Sequence, residues 1–313
     1  MAGLKQTFQK QGGFSMIRRW SRAGVLFFGT AAALLLGFSK KSLEILRLAV
    51  NNRILGKLRK KYSSCIRKFT ATAQSSQQIR SHKVWVCWLQ GMEQAPELVQ
   101  RCYQSLKDNL TDREIVLLTQ ENYREFVTFP EHIQQKLDAG IITKTHFSDL
   151  LRLELLIRHG GTWIDATVFC SGGQIPSYML DSDLFVFQNL KPGADGHCTL
   201  LSSWFMSACT NHPILLLTRH LLYTYWEKHN NMVDYFLLHD FFQLATEAYP
   251  AEWAKVIPFS NATPHILLLR LFEPWDTAAY DAICHQTPFH KLSYKFHDSQ
   301  FALEDTYYRH ILK

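Results

Sequence analysis

Short runs of strand-forming residues alternate with helical segments from Lys83 onward, and this alternation restricts the fold more than any other feature of the sequence. KVWVCWLQG (83–91) predicts a strand that ends in a glycine turn. PELVQRCYQSLKDNL (96–110) predicts a helix, and REIVLLT (113–119) predicts a second buried strand. A strand, a helix and a strand of these lengths indicate a parallel sheet covered by helices. FPEHIQQKLDAG (129–140) predicts one more helix, with proline near its start and glycine at its end.

A long apolar stretch follows, HFSDLLRLELLIRHGGTWIDATVFC (146–170). It predicts a helix that ends at Gly160 in a left-handed cap, and then a strand rich in β-branched and aromatic residues. Side chains alternate along a strand, so Trp163, Asp165 and Thr167 are expected to share one face. The Cα atoms of Asp165 and Thr167 would then lie roughly 6.5 Å apart, and their oxygens would point to the same side.

Asp149 and Arg152 stand three residues apart near the start of this helix, close enough to touch. Such a pair is most often a structural ion pair at a helix start, where the helix dipole favours the carboxylate. Here the pair lies one helix before Asp165, which follows a buried strand. Ligands bind at the carboxyl ends of parallel strands, so the combination favours a binding site.

Residues 148–168, SDLLRLELLIRHGGTWIDATV, resemble the pattern SDxxR…LxxxGGxWxDaT of the capsular polysaccharide synthesis family of glycosyltransferases. They are also similar to the SDxxR…GGxYxDxD block of the large bacterial glucosylating toxins and of α-mannosyltransferase-like enzymes. The resemblance to the capsular family covers most of residues 83–300. It implies an α/β, Rossmann-like glycosyltransferase-A fold, in which helices flank a mostly parallel central sheet, and a nucleotide-sugar donor.

The resemblance also implies roles for particular residues. Asp149, Arg152 and Asp165 are expected to be catalytic, because the matching family residues hold the donor sugar and the diphosphate. An aromatic residue at the end of the first strand is expected to contact the nucleotide base. The donor contacts implied on this basis are Trp88, Gln90, Gly91 and Trp163.

A divalent cation, Mn²⁺ or Mg²⁺, is implied as cofactor, with Asp165 and Thr167 as ligands. Thr167 departs from the family pattern, in which most members have a second aspartate there, and a hydroxyl is a weaker ligand than a carboxylate. The late segment TPFHKLSYK offers His290, Lys291 and Lys295, and a lysine can neutralise a departing diphosphate as a metal does. A basic surface strand explains this segment equally well.

Two further polar groups have simpler interpretations. Asp181–Asp183 is a literal DxD sequence, but its context indicates a turn before a strand. His239 and Asp240 lie in the apolar helical stretch YFLLHDFF. A polar pair in such a stretch is usually hydrogen-bonded in the core, and both residues remain weak candidates for substrate binding.

The charge of the chain is concentrated in its first seventy residues. They carry fifteen of the 34 Lys and Arg but only one of the 27 Asp and Glu, a net charge of +14, which leaves −7 on residues 71–313. A basic arm on an acidic body suggests an anionic membrane as partner, and no nucleic-acid motif supports the alternative. The seven cysteines form no CxxC pair, which argues against a disulfide framework or a thiolate zinc site.

The arm contains an uncharged apolar segment, residues 23–38, that falls short of the roughly 20 residues needed to span a membrane. It fits equally a helix lying on the membrane and a core helix packed on the domain. Downstream, an apolar stripe through Leu43, Leu46, Val50, Ile54 and Leu58 predicts an amphipathic helix. The predicted division is a membrane-associating helical arm (1–70), a linker (71–82) and a catalytic domain (83–313).

Together these features predict a glycosyltransferase, an enzyme that moves a sugar from a nucleotide to a growing capsular or surface polysaccharide, on a glycan or lipid-linked acceptor. The toxin resemblance implies retention of anomeric configuration. The basic arm predicts a peripheral or monotopic location on the cytoplasmic side of the membrane. The alternative is a non-catalytic glycan-assembly scaffold that binds nucleotide sugar without turning it over, because the second acid is missing at Thr167.

Overall fold

The structure of the chain is a computed structural model that describes residues 13–36, 39–73, 76–190 and 199–313. The first twelve residues of the predicted arm, residues 37–38 of its apolar segment, residues 74–75 of the predicted linker and Cys198 lie outside the described residues. The helices are α1 (Gly13–Arg22), α2 (Leu26–Leu36), α3 (Lys40–Thr72), α4 (Glu97–Asn109), α5 (Tyr123–Phe126), α6 (Glu131–Asp138), α7 (Lys144–His159), α8 (Ser177–Asp181), α9 (Pro213–Lys228), α10 (Leu237–Ala248), α11 (Pro250–Trp253), α12 (Ile266–Arg270), α13 (Thr277–Cys284), α14 (Asp298–Phe301) and α15 (Tyr307–Leu312).

The strands form a five-stranded sheet in the order β2-β1-β3-β6-β5, and a separate two-stranded sheet of β4 and β7. Their bounds are β1 (Lys83–Cys87), β2 (Glu114–Leu118), β3 (Gly161–Ile164), β4 (Val168–Cys170), β5 (Leu184–Gln188), β6 (Leu201–Ala208) and β7 (Phe289–Lys291). Strands β2, β1 and β3 are parallel, while β6 runs antiparallel to both β3 and β5. Four of the five strands therefore point the same way, which confirms the predicted mostly parallel sheet.

Helices cover both faces of this sheet because its strands are apolar on both sides. Trp85 and Trp163 point to the face that packs against α7, α9, α10 and α3. Val84, Val86 and Ile164 point to the opposite face, which packs against α4 and α8. A third apolar cluster joins α4 to the C-terminal helices. The predicted strand-helix-strand unit is confirmed as β1, α4 and β2.

The segment after Gly160 differs from the single strand predicted for it. Strand β3 ends at Ile164, and the N–H of Val168 donates a hydrogen bond to the carbonyl of Asp165 (3.0 Å) in a turn. The chain then pairs with β7 as β4, so Asp165 and Thr167 stand in the turn between two sheets. Gly160 has a positive φ of 65°, as predicted, but its ψ of −164° is not that of a left-handed helix cap.

Gly161, which follows Gly160, is required because the backbones of β3 and β1 approach each other closely at this residue. Gly161 has a φ of 94°, and a Cβ there would lie 2.3 Å from the carbonyl oxygen of Lys83 in the neighbouring strand. Only glycine allows this distance and this conformation together. The approach brings the start of β3 directly against β1, so the carboxyl ends of both strands reach the same edge of the sheet.

The basic arm is helical, and the apolar stripe of α3 faces protein. Leu46, Val50, Ile54 and Leu58 are buried in the same apolar cluster as the body's helices. Arg59 on the other side of the helix donates two hydrogen bonds to the carboxylate of Glu247. The predicted division into arm, linker and catalytic domain stays a prediction, although this part of the arm packs firmly on the body.

Helix α2 is the most apolar part of the arm and is largely uncovered. Phe27, Leu34 and Leu35 are 91%, 73% and 88% exposed, whereas Gly29 packs under the ring of Trp20. Residues 26–36 are therefore not a buried core helix. Among the described residues, no helix is both long enough and apolar enough to cross a membrane.

Candidate active site

The site lies at the edge of the sheet where β1 and β3 end. Asp165 is the first residue after β3, and its N–H donates a hydrogen bond to the carbonyl of Trp204 in β6 (2.8 Å). The indole N–H of Trp163 donates to Asp165 Oδ1 (2.9 Å). These two contacts fix the carboxylate at the carboxyl end of the parallel strands, the position where sheets of this kind bind ligands.

Helix α7 supplies the second carboxylate and a guanidinium. Arg152 Nη2 lies 3.6 Å from Asp149 Oδ1 and 3.6 Å from Asp165 Oδ1, so the guanidinium stands between two acids. It also donates to Ser148 Oγ (3.0 Å) and to the carbonyl of Ser203. Asp149 and Arg152 are buried, and the number of fixed contacts leaves Arg152 with a single orientation. The predicted association of Asp149, Arg152 and Asp165 is present in the structure.

Lys291 stands between the two residues proposed as metal ligands. Its Nζ donates to Asp165 Oδ2 (2.9 Å) and to Thr167 Oγ1 (2.6 Å). Pairing of Val168 with Lys291 in the β4–β7 ladder brings this lysine to the site from 126 residues further along the chain. Candidates from two distant parts of the sequence, Asp165 with Thr167 and Lys291, therefore meet at one point.

The charges of this cluster hold both carboxyls ionised. Burial favours the neutral form of Asp165, but the ammonium of Lys291 and the guanidinium of Arg152 outweigh it and lower the pKa of Asp165. Burial also favours the neutral form of Asp149, but the charge of Arg152 and the hydrogen bond with His146 outweigh burial and lower the pKa of Asp149. At neutral pH the site presents two carboxylates beside two fixed cations.

An aromatic rim lies beside the charged cluster, at the end of β1. The rings of Trp88 and Tyr294 meet edge to face with centroids 5.5 Å apart, and Lys295 Nζ lies 5.5 Å from the centroid of the Tyr294 ring. The indole N–H of Trp88 finds no hydrogen-bond partner among the described residues. Gly91 closes the turn after β1 with a hydrogen bond to the Trp88 carbonyl (3.0 Å), and the exposed Gln90 stands at its tip.

Some predicted residues lie elsewhere. His290 points to the other side of the β4–β7 ladder, where it is fully buried and its Nε2 is 3.0 Å from Ser171 Oγ. Burial lowers its pKa to about 4. Asp240 is buried beside Asp234, and burial together with that neighbour's charge raises its pKa. Unlike His290 and Asp240, His239 lies within electrostatic range of the cluster, where its charge helps to lower the pKa of Asp149.

The literal DxD sequence is engaged in ion pairs away from the cluster. Asp181 accepts two hydrogen bonds from Arg113 (2.8 and 2.9 Å), and Asp183 accepts one from Arg80 Nη2 (3.0 Å). Strand β5 begins at the next residue, Leu184. The sequence precedes a strand as predicted, but Asp181 is the last residue of α8 and only Ser182 and Asp183 form the bend between helix and strand.

Several residues of the site were not predicted. His146 is buried with its Nδ1 3.1 Å from Asp149 Oδ2, and its i,i+3 spacing from Asp149 was the available signal. The side chain of Tyr235 is half exposed. Burial, and then the charges of Asp149 and Asp165, raise its pKa. No sequence pattern connects residue 235 to the cluster, because its proximity to these charges depends on tertiary packing.

Fold and site together define an α/β protein with a largely buried charged cluster at the carboxyl edge of its sheet. The family model described as capsular polysaccharide synthesis protein matches residues 37–311. The chain belongs to this family, which confirms the resemblance seen in residues 148–168. The match begins just before α3 and includes the whole of that helix, which lies outside the range of the resemblance.

Comparison with solved structures gives a distant similarity. A structure titled PaToxG Glycosyltransferase shares 13% sequence identity with this chain, with 82% of this chain and 95% of the other covered and a TM-score of 0.37. At this TM-score the similarity does not support a functional assignment. No curated protein sequence matches the chain significantly.

Proposed function

We propose that this protein is a glycosyltransferase that moves a sugar from a nucleotide-sugar donor to a hydroxyl of a capsular or surface polysaccharide acceptor. Membership of the capsular polysaccharide synthesis family supports an activity of this class. The observation that carries the proposal is the cluster in which Arg152 and Lys291 flank the carboxylate of Asp165 at the carboxyl edge of the sheet.

Glycosyl transfer needs both kinds of charge that the cluster contains. The bond between the anomeric carbon and the diphosphate oxygen breaks, and positive charge develops on the sugar while negative charge develops on the leaving group. Asp149 and Asp165 stabilise the positive charge and hold sugar hydroxyls, whereas Lys291 and Arg152 stabilise the diphosphate. The acceptor oxygen forms the new bond from the face that the diphosphate leaves, and its proton passes to a diphosphate oxygen. This route retains the anomeric configuration without a dedicated protein base.

The nucleotide is proposed to lie at the aromatic rim. Trp88 is half-buried at this rim, and the face of an indole ring suits a planar base. Lys295 is exposed at the same rim and can reach a phosphate. Trp163 packs under the guanidinium of Arg152, 5.0 Å from ring centroid to Cζ, and thus acts through Arg152 and Asp165.

Asp165 and Thr167 do not fit a divalent cation while Lys291 is hydrogen-bonded to both of them. The ammonium group lies where an ion held by these two oxygens would sit, and an ion would require the lysine side chain to move away. Among the described residues no group of three or more His, Cys, Asp or Glu side chains is arranged to hold a metal. The proposed reaction therefore assigns the leaving-group charge to Lys291, and the implied Mn²⁺ or Mg²⁺ stays a prediction.

The deciding experiment is hydrolysis of a panel of nucleotide sugars with Mn²⁺, with Mg²⁺ and with chelator. Slow release of sugar from one donor, with retained anomeric configuration by NMR, supports the proposal. Asp165→Asn should abolish it, while Asp183→Asn, which alters the literal DxD sequence, should leave it unchanged. Nucleotide-sugar binding without any release would instead identify the non-catalytic scaffold.

The arm is proposed to hold the enzyme on the cytoplasmic side of an anionic membrane, near a lipid-linked acceptor. The net charge of +14 on residues 1–70 and the uncovered apolar side chains of α2 support this location. Sedimentation with anionic vesicles tests it. If removal of residues 1–36 leaves vesicle binding unchanged, α1 and α2 are not the membrane contact.

A further inference from the structure

A large apolar cavity lies between the arm and the start of helix α10. Its volume is about 680 Å³, within the range of pockets that hold small molecules. Its wall is formed by α1, α2 and α3 on one side and by residues 234–236 on the other. The lining is mainly hydrophobic, and it includes Trp20 of α1 and Ala33 of α2.

The cavity continues into the uncovered surface of α2. Phe27 and Leu34 both line the cavity and are among the most exposed apolar side chains of the described residues. The mouth of the cavity is therefore bordered by hydrocarbon that water does not favour. A mouth of this kind suits a ligand that arrives from a lipid phase rather than from solution.

The polar groups at the cavity wall favour an anion. Arg19 and Arg47 line it together with one acid, Asp234. Asp234 is buried, and its Oδ1 accepts a hydrogen bond from the N–H of Phe236 (2.9 Å). Burial raises the pKa of Asp234, and the positive charge of Arg19 opposes this rise. Arg47 is exposed and forms no ion pair within the described part of the chain. One guanidinium is thus available to a phosphate at the cavity wall.

Residues of the cavity wall also lie within electrostatic range of the candidate active site. Tyr235 lines the cavity, and the charges of Asp149 and Asp165 act on its hydroxyl. The ring of Phe236, also in the lining, has its centroid 5.3 Å from that of His239, whose charge acts on Asp149. A molecule with its chain in the cavity would have its polar end beside the cluster.

We propose that this cavity binds the hydrocarbon chain of a phosphate-bearing membrane lipid that carries the acceptor sugar, with the polar end directed past Tyr235 to the active site. The acceptor role rests on the proposed glycosyltransferase function, whereas the lipid site stands on the cavity and its charges. The arm then has two tasks, since it contacts the membrane and forms one wall of the acceptor site.

Lipid binding is tested directly with a bromine-tagged dodecyl phosphate, because bromine quenches tryptophan fluorescence on contact and Trp20 lines the cavity. Titration of the full chain should give saturable quenching, and Trp20→Phe should remove the saturable part. Ala33→Phe fills the cavity from α2 and should weaken binding at least tenfold. Ala31→Phe adds the same side chain at an exposed position of the same helix and should bind as the original protein does.

Arg47→Gln provides a second variant that leaves the cavity volume intact. Loss of one guanidinium near a phosphate should weaken binding about fivefold. Arg67→Gln removes an exposed charge from the same helix, roughly 30 Å away at 1.5 Å per residue, and should have no effect. A trimethylammonium amphiphile of the same chain length should bind Arg47→Gln no more weakly than the original protein.

Equal binding of the dodecyl phosphate to Ala33→Phe and to Ala31→Phe would overturn the lipid site. The acceptor role is measured separately, with a synthetic sugar-phosphate lipid and a donor that the enzyme hydrolyses. Ala33→Phe should lose transfer to the lipid but keep donor hydrolysis. Intact transfer would refute the inference alone, whereas absence of donor hydrolysis in the original protein would refute the proposed function alone.

Discussion

Replacing Lys291 with methionine removes the ammonium from between Asp165 and Thr167 and keeps most of the side chain's length. Coulomb's law at the 2.9 Å separation of Nζ and Asp165 Oδ2, with an effective dielectric constant of about 20, gives an attraction of about 6 kcal/mol. Since 21% and 27% of the two side chains are exposed, screening and desolvation reduce the net loss of stability to about 2 kcal/mol.

The expected loss of activity is larger than the loss of stability. Removing one fixed group that stabilises a developing charge lowers kcat by about 10²–10³-fold. Donor hydrolysis and transfer should both fall by this factor, while KM for the donor changes little, because the diphosphate gains most of its charge only as the bond breaks. Urea unfolding of the same preparation measures the stability term.

Lys255→Met is the matched control, because it removes a lysine from an ion pair of nearly the same length at the surface. Lys255 Nζ lies 2.8 Å from Glu252 Oε2, and this variant should keep turnover and unfold as the original protein does. The assignment to Lys291 is refuted if Lys291→Met turns over donor at the original rate while chelator abolishes activity in both proteins. That outcome would give the leaving-group charge to a metal ion.

Three further changes test other parts of the structure. Gly161→Ala forces a Cβ against the backbone of β1 and should destabilise the fold by on the order of 3 kcal/mol in urea unfolding, whereas Gly173→Ala, with a similar positive φ but open space, should cost only about 1 kcal/mol. Arg152→Lys keeps the charge but loses the forked guanidinium that reaches the Ser203 carbonyl, so kcat/KM should fall about 100-fold. The far-UV circular dichroism spectrum should not change. A fully active variant would show that charge alone suffices. His290 stays neutral in the fold down to a pKa of about 4, while its unfolded form binds a proton below about 6.5. This group should therefore lower the free energy of unfolding by on the order of 3 kcal/mol as the pH falls from 6.5 to 4, and His290→Gln should remove this contribution. The buried His212, whose pKa is also lowered to about 4, should keep its own contribution in that variant.

The local parts of the site could be predicted from sequence, and the long-range parts could not. Asp149 and Arg152 share one helix, so their spacing alone places them together. The break of the strand after Ile164 depends on pairing with β7, more than a hundred residues away, and composition does not encode a pairing partner. The apolar residues of α3 recur at helical spacing in the sequence, but this spacing does not show whether protein or lipid covers them. Protein covers them here, and the uncovered apolar residues of the arm are those of α2.

The distance along the chain between Asp165 and Lys291 also determines when the site is assembled. During synthesis from the N-terminus, β1, α7 and β3 emerge long before β7. Lys291 follows Asp165 by 126 positions, and all of this chain must be made before the ammonium reaches the carboxylate. Until then the sheet edge carries Asp149 and Asp165 with Arg152 as the cation between them. A nascent chain can therefore form its central sheet before β7 is made, whereas the charged cluster is complete only when β7 has paired with β4.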